Sequence, residues 1–163
     1  MSKIKNLKEL KEIIKSLKKE NKTIVSTNGT FDILHISHVH ILQKAKDFGD
    51  VLIVLLNSDS SVKRNKGKDR PIIHEKERAE MLAALNCVDY VIIFEEDKPL
   101  NILKELKPNI HVKGGTFLPE RVKEEKDLLE SWGGEFKTFE LEEGFSTTNI
   151  IEKILKTYKN ETV

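Results

Sequence analysis

The residues that most directly suggest chemistry are two histidines, His35 and His38, three positions apart near the start of an expected helix. Gly29 lies shortly before them, where the first predicted strand ends. A helix N-terminus favours anions through its free N–H groups and its dipole, and glycine lets backbone amides approach a ligand closely. Imidazole rings at such a position can donate hydrogen bonds to phosphate oxygens. The pattern therefore favours a phosphate-binding site in this part of the chain.

A second group of polar side chains precedes the last predicted helix. Ser146, Thr147 and Thr148 follow Gly144 and come directly before an amphipathic segment. Serine or threonine commonly caps a helix, and capping alone would explain one of the three hydroxyls. Three hydroxyls in a row exceed what one cap requires, which favours phosphate binding. On these residues alone both interpretations stay open.

Several other kinds of site are excluded by the sequence. The loop after the first strand contains neither the G-x-G-x-x-G dinucleotide fingerprint nor the G-x-x-x-x-G-K-[ST] phosphate loop. Two histidines three apart could bind a metal, but no further cysteine or acidic pair completes such a site. Cys87 is the only cysteine, which excludes an internal disulfide and any zinc site built from several cysteines. We therefore predict that no metal is ligated by protein side chains.

The composition is typical of one globular domain. The chain has 163 residues, of which 38% are hydrophobic and 34% charged, a balance that supports a folded core. Its 28 basic and 27 acidic residues leave a net charge of +1, which argues against a general nucleic-acid or membrane-surface binder. No apolar run approaches the roughly 20 residues needed to span a bilayer. We expect a cytoplasmic protein that binds neither nucleic acid nor membranes.

Apolar residues alternate along the chain between helical spacing and short continuous runs, and this alternation predicts the fold. Helices are expected at 6–20, 37–48, 75–85, 99–106, 119–131 and 146–158. Strands are expected at 23–27, 51–56, 90–94, 110–112 and 135–139. We predict an α/β fold, a single Rossmann-like doubly wound sheet of about five parallel strands with helices on both faces. Residues 1–21 would form an N-terminal amphipathic helix and residues 22–163 the main domain.

Ligands of open α/β sheets bind beyond the carboxyl ends of the strands, near the point where the strand order reverses. The loop that contains His35 and His38 follows the first strand, so we expect it at that edge. Residues 63–70 are the longest irregular stretch, and their composition favours a solvated surface loop. His74 is expected to cap a helix or to lie in a loop, and His111 is expected to lie in a strand, where it is more typical of packing than of metal binding.

Four motifs, in their order along the chain, resemble those of the cytidylyltransferase-like nucleotidyltransferase superfamily. They are Thr27 to His38, the helix with Arg78, Val112 to Gly115, and Glu143 to Ile151. The similarity spans roughly residues 22–156 and includes Asn57-Ser58-Asp59, Lys66-Gly67 and Arg70-Pro71. Within the superfamily the chain is most similar to the adenylyltransferase domain of the bacterial D-glycero-D-manno-heptose 1-phosphate adenylyltransferases of lipopolysaccharide biosynthesis.

The resemblance implies an enzyme that transfers AMP from ATP to a sugar 1-phosphate, with a heptose 1-phosphate favoured, and releases pyrophosphate. It also implies Mg²⁺ with the triphosphate and a homodimer. The bifunctional family members carry a sugar kinase domain before this region, so we expect a separate kinase to supply the substrate. Two alternatives stay open: a cytidylyltransferase acting on glycerol 3-phosphate or a similar alcohol phosphate, and a non-catalytic nucleotide-binding module.

The resemblance also assigns roles to individual residues. Catalytic roles fall to His35, His38, Lys66 and Arg78, of which the last two would clamp phosphates. Nucleotide-binding roles fall to Thr27, Asn28, Gly29, Thr30, Phe31, Lys113, Gly114, Gly115, Ser146, Thr147 and Thr148. Acceptor-binding roles fall to Asp32, Asn57, Asp59 and Thr116, and Asp32 has the alternative role of orienting its loop.

The sequence departs from the family pattern at three places. Ser37 stands where glycine is usual between the histidines, and we expect it to cap the helix that it begins. Thr116-Phe117 replaces the usual Asp-Tyr, which removes a carboxylate and a phenol hydroxyl from the expected acceptor side. Leu141-Glu142 replaces the Arg-Thr of glycerol phosphate cytidylyltransferases, which favours ATP over CTP.

Overall fold

The computed structural model describes residues 2–115, 119–139 and 144–159, which form alternating helices and strands. The helices are α1 (Leu7–Lys19), α2 (Ile36–Lys46), α3 (Asp59–Lys66), α4 (Glu75–Ala83), α5 (Leu100–Leu106), α6 (Pro119–Glu130) and α7 (Thr147–Tyr158). The strands are β1 (Ile24–Gly29), β2 (Val51–Asn57), β3 (Tyr90–Phe94), β4 (Ile110–Gly114) and β5 (Glu135–Phe139). The predicted α/β class is confirmed.

The five strands form one parallel sheet in the order β3-β2-β1-β4-β5. The chain first adds strands on one side of β1 and then crosses over to add β4 and β5 on the other. The strand order therefore reverses between β1 and β4, the place where ligands of such sheets bind. Every residue of β2 is buried, as expected for a strand covered on both faces.

Helices cover both faces of the sheet and each face has its own apolar cluster. One cluster joins Leu10 and Ile14 of α1 to α5, α6 and the sheet. The other joins Leu42 of α2 and Leu82 of α4 to the opposite face. The N-terminal helix therefore belongs to the core, and Ile4 before it bridges Val91 of β3.

The polar run 63–70 lies at the surface, as composition favoured, but only its second half is irregular. Its first four residues complete α3, whose N-cap Ser58 accepts a hydrogen bond from the Ser61 N–H. The helix ends at Gly67, whose φ of 100° lies in the region that favours glycine. Only Ser61 and Val62 of α3 are buried, so the apolar spacing that reveals the other helices is missing here.

No helix in the described ranges is both long and apolar enough to cross a membrane.

Candidate active site

A cavity of about 510 Å³ opens at the carboxyl ends of the strands, where the strand order reverses. Its wall brings together most of the residues that the sequence assigned to the site. These are Thr27, Asn28, Gly29, Thr30, Phe31, Asp32, His35, His38, Asn57, Lys66, Lys113, Gly114, Ser146, Thr147 and Thr148. Eight further residues of the described ranges line the cavity, and the sequence analysis gave none of them a role in the site: Ile41, Asn65, Arg70, Asp97, Lys98, Pro99, Glu125 and Phe145.

His35 and His38 lie stacked at the start of α2, with ring centroids 3.7 Å apart. The His35 backbone N–H donates to Nδ1 of His38 (3.4 Å), so a neutral His38 carries its proton on Nε2. Burial, with further contributions from His35 and the Lys66 charge, lowers the pKa of His38 to about 3. Burial also lowers the pKa of His35. Both rings are therefore neutral at neutral pH, and the Nε2–H of His38 is a hydrogen-bond donor.

Two cations reach the cavity from the segment that follows β2. Lys66, at the end of α3, lies close enough to His38 for its charge to lower the histidine pKa. Arg70 follows, and its Nε donates to Oδ2 of Asp32 (2.6 Å). Asp32 is 2% exposed, and its other oxygen accepts from the N–H groups of Ile72 and Ile73. Asp32 therefore anchors the segment that carries Arg70, since both carboxylate oxygens have protein partners.

Arg78 does not line the cavity, contrary to the phosphate clamp that the resemblance implied. Its side chain is fully buried, and its guanidinium donates to the carbonyls of Thr30, Asn57 and Ile73. It also forms an ion pair with Asp59 (2.6 Å). These bonds tie the ends of β1 and β2 to α4. Arg78 therefore shapes the cavity from behind.

The three hydroxyl residues at the start of α7 have separate partners, although all three line the cavity. Ser146 caps the helix, because its Oγ accepts from the Asn149 N–H (3.0 Å). The Thr147 hydroxyl donates to the Ile33 carbonyl (3.5 Å), which links α7 to the loop before the histidines. Capping thus explains Ser146, while Thr148 at the first turn of α7 borders the cavity beside the helix N-terminus.

The end of β4 forms part of the cavity wall. A Cβ at Gly114 would lie 2.4 Å from Cδ1 of Ile41, so a larger residue here would force the Ile41 side chain on α2 to shift. Nζ of Lys113 donates to Oε1 of Glu125 on α6 (2.5 Å). Gly115 is buried and does not border the cavity. Thr116, assigned to the acceptor, lies outside the described residues, as do Leu141 and Glu142.

The other acceptor candidates divide between the cavity wall and the interior. Asn57 lines the cavity, and its amide donates to the Ser61 hydroxyl (2.9 Å). Asp59 does not line it, because its carboxylate pairs with Arg78 and lies 3.3 Å from Nε2 of His74. His74 is the N-cap of α4, as its position predicted.

Ser37 does not cap α2. The helix begins one residue earlier, with His35 at the N-cap, so the Ser37 side chain lies inside the first turn. Ser37 is 1% exposed, and its hydroxyl has no hydrogen-bond partner. Ser37 therefore fits into the buried first turn of α2 and does not act as its cap.

The described residues do not provide a cage for a metal ion. No group of three or more histidine, cysteine, aspartate or glutamate side chains lies close enough within them to hold one. Asp32, the carboxylate nearest the histidines in sequence, has both oxygens bonded to the protein.

The sequence matches the family model described as "Cytidylyltransferase-like" over residues 26–153. The chain belongs to the cytidylyltransferase-like family. It is a nucleotidyltransferase, with the stacked histidines and the α7 N-terminus inside the matched range. Among relatives, the chain is 55% identical over 160 residues to "Bifunctional protein HldE" of Geobacter metallireducens, and 48% identical over 151 residues to the protein of that name from Helicobacter pylori. These matches cover 98% and 93% of this chain, which spans about a third (32%) of each relative's length.

Two solved structures have a fold similar to that of this chain. A lipopolysaccharide core biosynthesis protein from Thermoplasma volcanium is 31% identical, with a TM-score of 0.61, and the match covers 74% of this chain and 97% of that one. A pantoate-β-alanine ligase from Francisella tularensis has a TM-score of 0.63 at 18% identity and is matched over 98% of this chain and 78% of that one. The second likeness concerns the fold alone.

Proposed function

We propose that this nucleotidyltransferase transfers AMP from ATP to a sugar 1-phosphate, a heptose 1-phosphate first among them, and releases pyrophosphate. The observation that carries the proposal is the neutral, stacked pair of His35 and His38, which faces Lys66 and the α7 N-terminus in one cavity. The choice of ATP and heptose 1-phosphate comes from the resemblance to the heptose 1-phosphate adenylyltransferases, and the identity to the proteins named HldE agrees with nucleotidyl transfer. The likeness to a lipopolysaccharide core biosynthesis protein of Thermoplasma volcanium supports a role in lipopolysaccharide biosynthesis.

The reaction is a direct displacement at the α-phosphorus. An oxygen of the sugar phosphate forms the new P–O bond while the bond from the α-phosphorus to the bridging oxygen of the β-phosphate breaks. Pyrophosphate leaves with that electron pair. The attacking phosphate is already ionised at neutral pH, so no side chain has to remove a proton. The enzyme's contribution is positioning and charge stabilisation.

The residues of the cavity suit these two tasks. The Nε2–H of His38 would donate to a phosphate oxygen as negative charge moves towards pyrophosphate. Lys66 and the Asp32-held guanidinium of Arg70 would supply positive charge on the same side. Arg78 would act as a positioning residue, because its bonds to Thr30 and Asn57 fix the two strand ends.

Mg²⁺ would enter as the complex with ATP, held by the triphosphate oxygens, where it would neutralise phosphate charge. A separate sugar kinase that supplies the acceptor, and a homodimer, belong to the same proposal.

A pyrophosphate-release screen tests the proposal. It crosses ATP, CTP, GTP and UTP with heptose 1-phosphate, hexose 1-phosphates and glycerol 3-phosphate, and it compares kcat/KM. We expect the highest value for ATP with heptose 1-phosphate. A preference for CTP with glycerol 3-phosphate would replace the proposal with the cytidylyltransferase alternative. Nucleotide binding without pyrophosphate release from any pair would indicate a non-catalytic binding module.

A further inference from the structure

A buried histidine connects two side chains of the cavity wall that the reaction above does not use. His111 of β4 is fully buried, and its Nδ1 lies 2.7 Å from the Ser26 hydroxyl. Its Nε2 lies 3.2 Å from Oδ1 of Asn28 and 3.7 Å from Oε2 of Glu125. The network crosses from the interior of the sheet to the cavity, because Asn28 and Glu125 both line it.

The donor and the acceptor of each hydrogen bond in this network follow from the chemistry of the groups. An amide oxygen and a carboxylate oxygen can only accept, so the His111 Nε2 carries the proton that faces them. Nδ1 then accepts from the Ser26 hydroxyl. Burial, together with the Lys113 charge, lowers the pKa of His111 to about 3, which agrees with a neutral ring. With its oxygen held on the ring, Asn28 has its NH₂ group left for a ligand.

Glu125 can accept a hydrogen bond from a ligand, whereas Asn28 can donate one. The residue is 2% exposed, and Oε1 accepts from Lys113, whereas Oε2 has no hydrogen-bond partner. A buried carboxylate oxygen without a donor is costly, and most such groups in proteins are satisfied. It would repel a phosphate and accept from a neutral O–H group. Bound substrate is therefore the natural source of the missing donor.

We propose that Asn28 and Glu125 form a subsite for a pair of neighbouring hydroxyls, which the His111 ring holds in orientation. One hydroxyl accepts from the Asn28 amide, and its neighbour donates to Glu125 Oε2. This inference rests on the proposed function, in which both substrates carry such hydroxyl pairs: the ribose of ATP and the acceptor sugar. The arms of the test distinguish the two sources.

The test uses binding rather than turnover, so that it stays informative if the proposed reaction is wrong. Calorimetry on the full chain compares ATP with 2′-deoxy-ATP and 3′-deoxy-ATP, and glucose 1-phosphate with 2-deoxyglucose 1-phosphate. The variant is Glu125→Gln, in which the amide oxygen stays on Lys113 and the NH₂ group turns towards the ligand. Glu130→Gln is the matched control, on the same helix but more than half exposed.

We expect Glu125→Gln to weaken binding of one hydroxyl-bearing ligand about 10- to 100-fold, the usual loss of a hydrogen bond to a charged group. The corresponding deoxy ligand should bind the wild type equally weakly and should lose nothing further in the variant. A loss for ATP assigns the subsite to ribose, and a loss for glucose 1-phosphate assigns it to the acceptor. Unchanged binding of both ligands, or an equal loss for every ligand including the deoxy forms, would overturn the proposal.

A second variant tests the orienting role of His111. His111→Gln should weaken the same ligand and spare its deoxy form, because Asn28 loses the partner that fixes its amide. Folding is checked by circular dichroism. If this variant does not fold, the Glu125→Gln comparison decides the proposal alone. A folded His111→Gln with wild-type discrimination between the hydroxyl and deoxy forms would remove His111 from the subsite.

Discussion

At the scale of single residues, the proposed reaction depends on which cavity side chains are neutral and which are charged. His38 is held neutral by burial, and its Nδ1 is occupied by the His35 N–H. Because the proton of His38 is fixed on Nε2, its hydrogen bond to a phosphate oxygen can strengthen as negative charge develops on that oxygen. The two cations that we propose balance the triphosphate charge, Lys66 and Arg70, come from a different part of the chain.

Replacement of His38 tests whether this residue stabilises developing charge and contributes little to nucleotide binding. We expect His38→Ala to lower kcat about 10²–10³-fold, as typically follows the loss of one preorganised donor, with a much smaller change in nucleotide affinity. Steady-state kinetics and nucleotide titrations measure the two effects. His40→Ala, on the same helix but outside the cavity wall, is the control. Near-normal turnover in His38→Ala would remove His38 from the catalytic role.

The sequence predicted individual site residues where a motif carried them, as with the histidines and the α7 hydroxyls. It did not predict Glu125 or Lys98, because each lies in a charged run that is indistinguishable in sequence from a solvated helix face. The family resemblance assigned Arg78 to phosphate through its place in the helix that follows the polar run. Only the fold shows that its partners are backbone carbonyls and Asp59.

At the scale of elements, apolar periodicity predicted the helices and strands that bury a face. The limits of β3 and β5 agree with the sequence, because each is a short run bounded by polar residues or turns. The helix α3 was missed, since its position is fixed by a cap and by polar contacts. Asn65 and Arg64 of this helix, for example, bond to Asp97. Such contacts between distant segments leave no local pattern.

The first turn of α2 offers a test at this scale. Ser37→Ala removes a buried hydroxyl that has no partner, and alanine favours a helix more than serine does. We therefore expect the variant to be about 1 kcal/mol more stable than the wild type in urea unfolding, with the histidine pair and turnover preserved. Ser37→Gly, which lacks the helix preference, should be less stable than Ser37→Ala. A clear loss of stability in Ser37→Ala would show that the hydroxyl has a partner.

At the scale of the whole molecule, two buried neutral histidines couple stability to pH. The pKa values of His38 and His111 are lowered to about 3, whereas an unfolded chain titrates near the ordinary value of 6.5. Below pH 6.5 the unfolded state therefore binds protons that the folded state does not. The stability from these groups is present above that pH and is lost as the pH falls towards 3.

Unfolding in urea at several pH values measures this loss. For the fully buried His111 we expect up to about 1.4 kcal/mol per pH unit below 6.5, and His38 adds a smaller loss in the same direction. Ring proton NMR of the five histidines supplies the assignment: His38 and His111 should not titrate between about pH 8 and 5. Titration of either ring near pH 6.5 would contradict its lowered pKa.

The central claim is that this cavity joins AMP to a sugar 1-phosphate, and phosphorus NMR of the reaction tests it most directly. The enzyme is mixed with ATP, Mg²⁺ and heptose 1-phosphate, and the phosphorus signals are followed with time. We expect the ATP signals to be replaced by pyrophosphate and by the two coupled signals of an ADP-sugar, in equal amounts. His38→Ala should slow their appearance. Formation of ADP and inorganic phosphate instead, or product only from CTP with glycerol 3-phosphate, would contradict the claim.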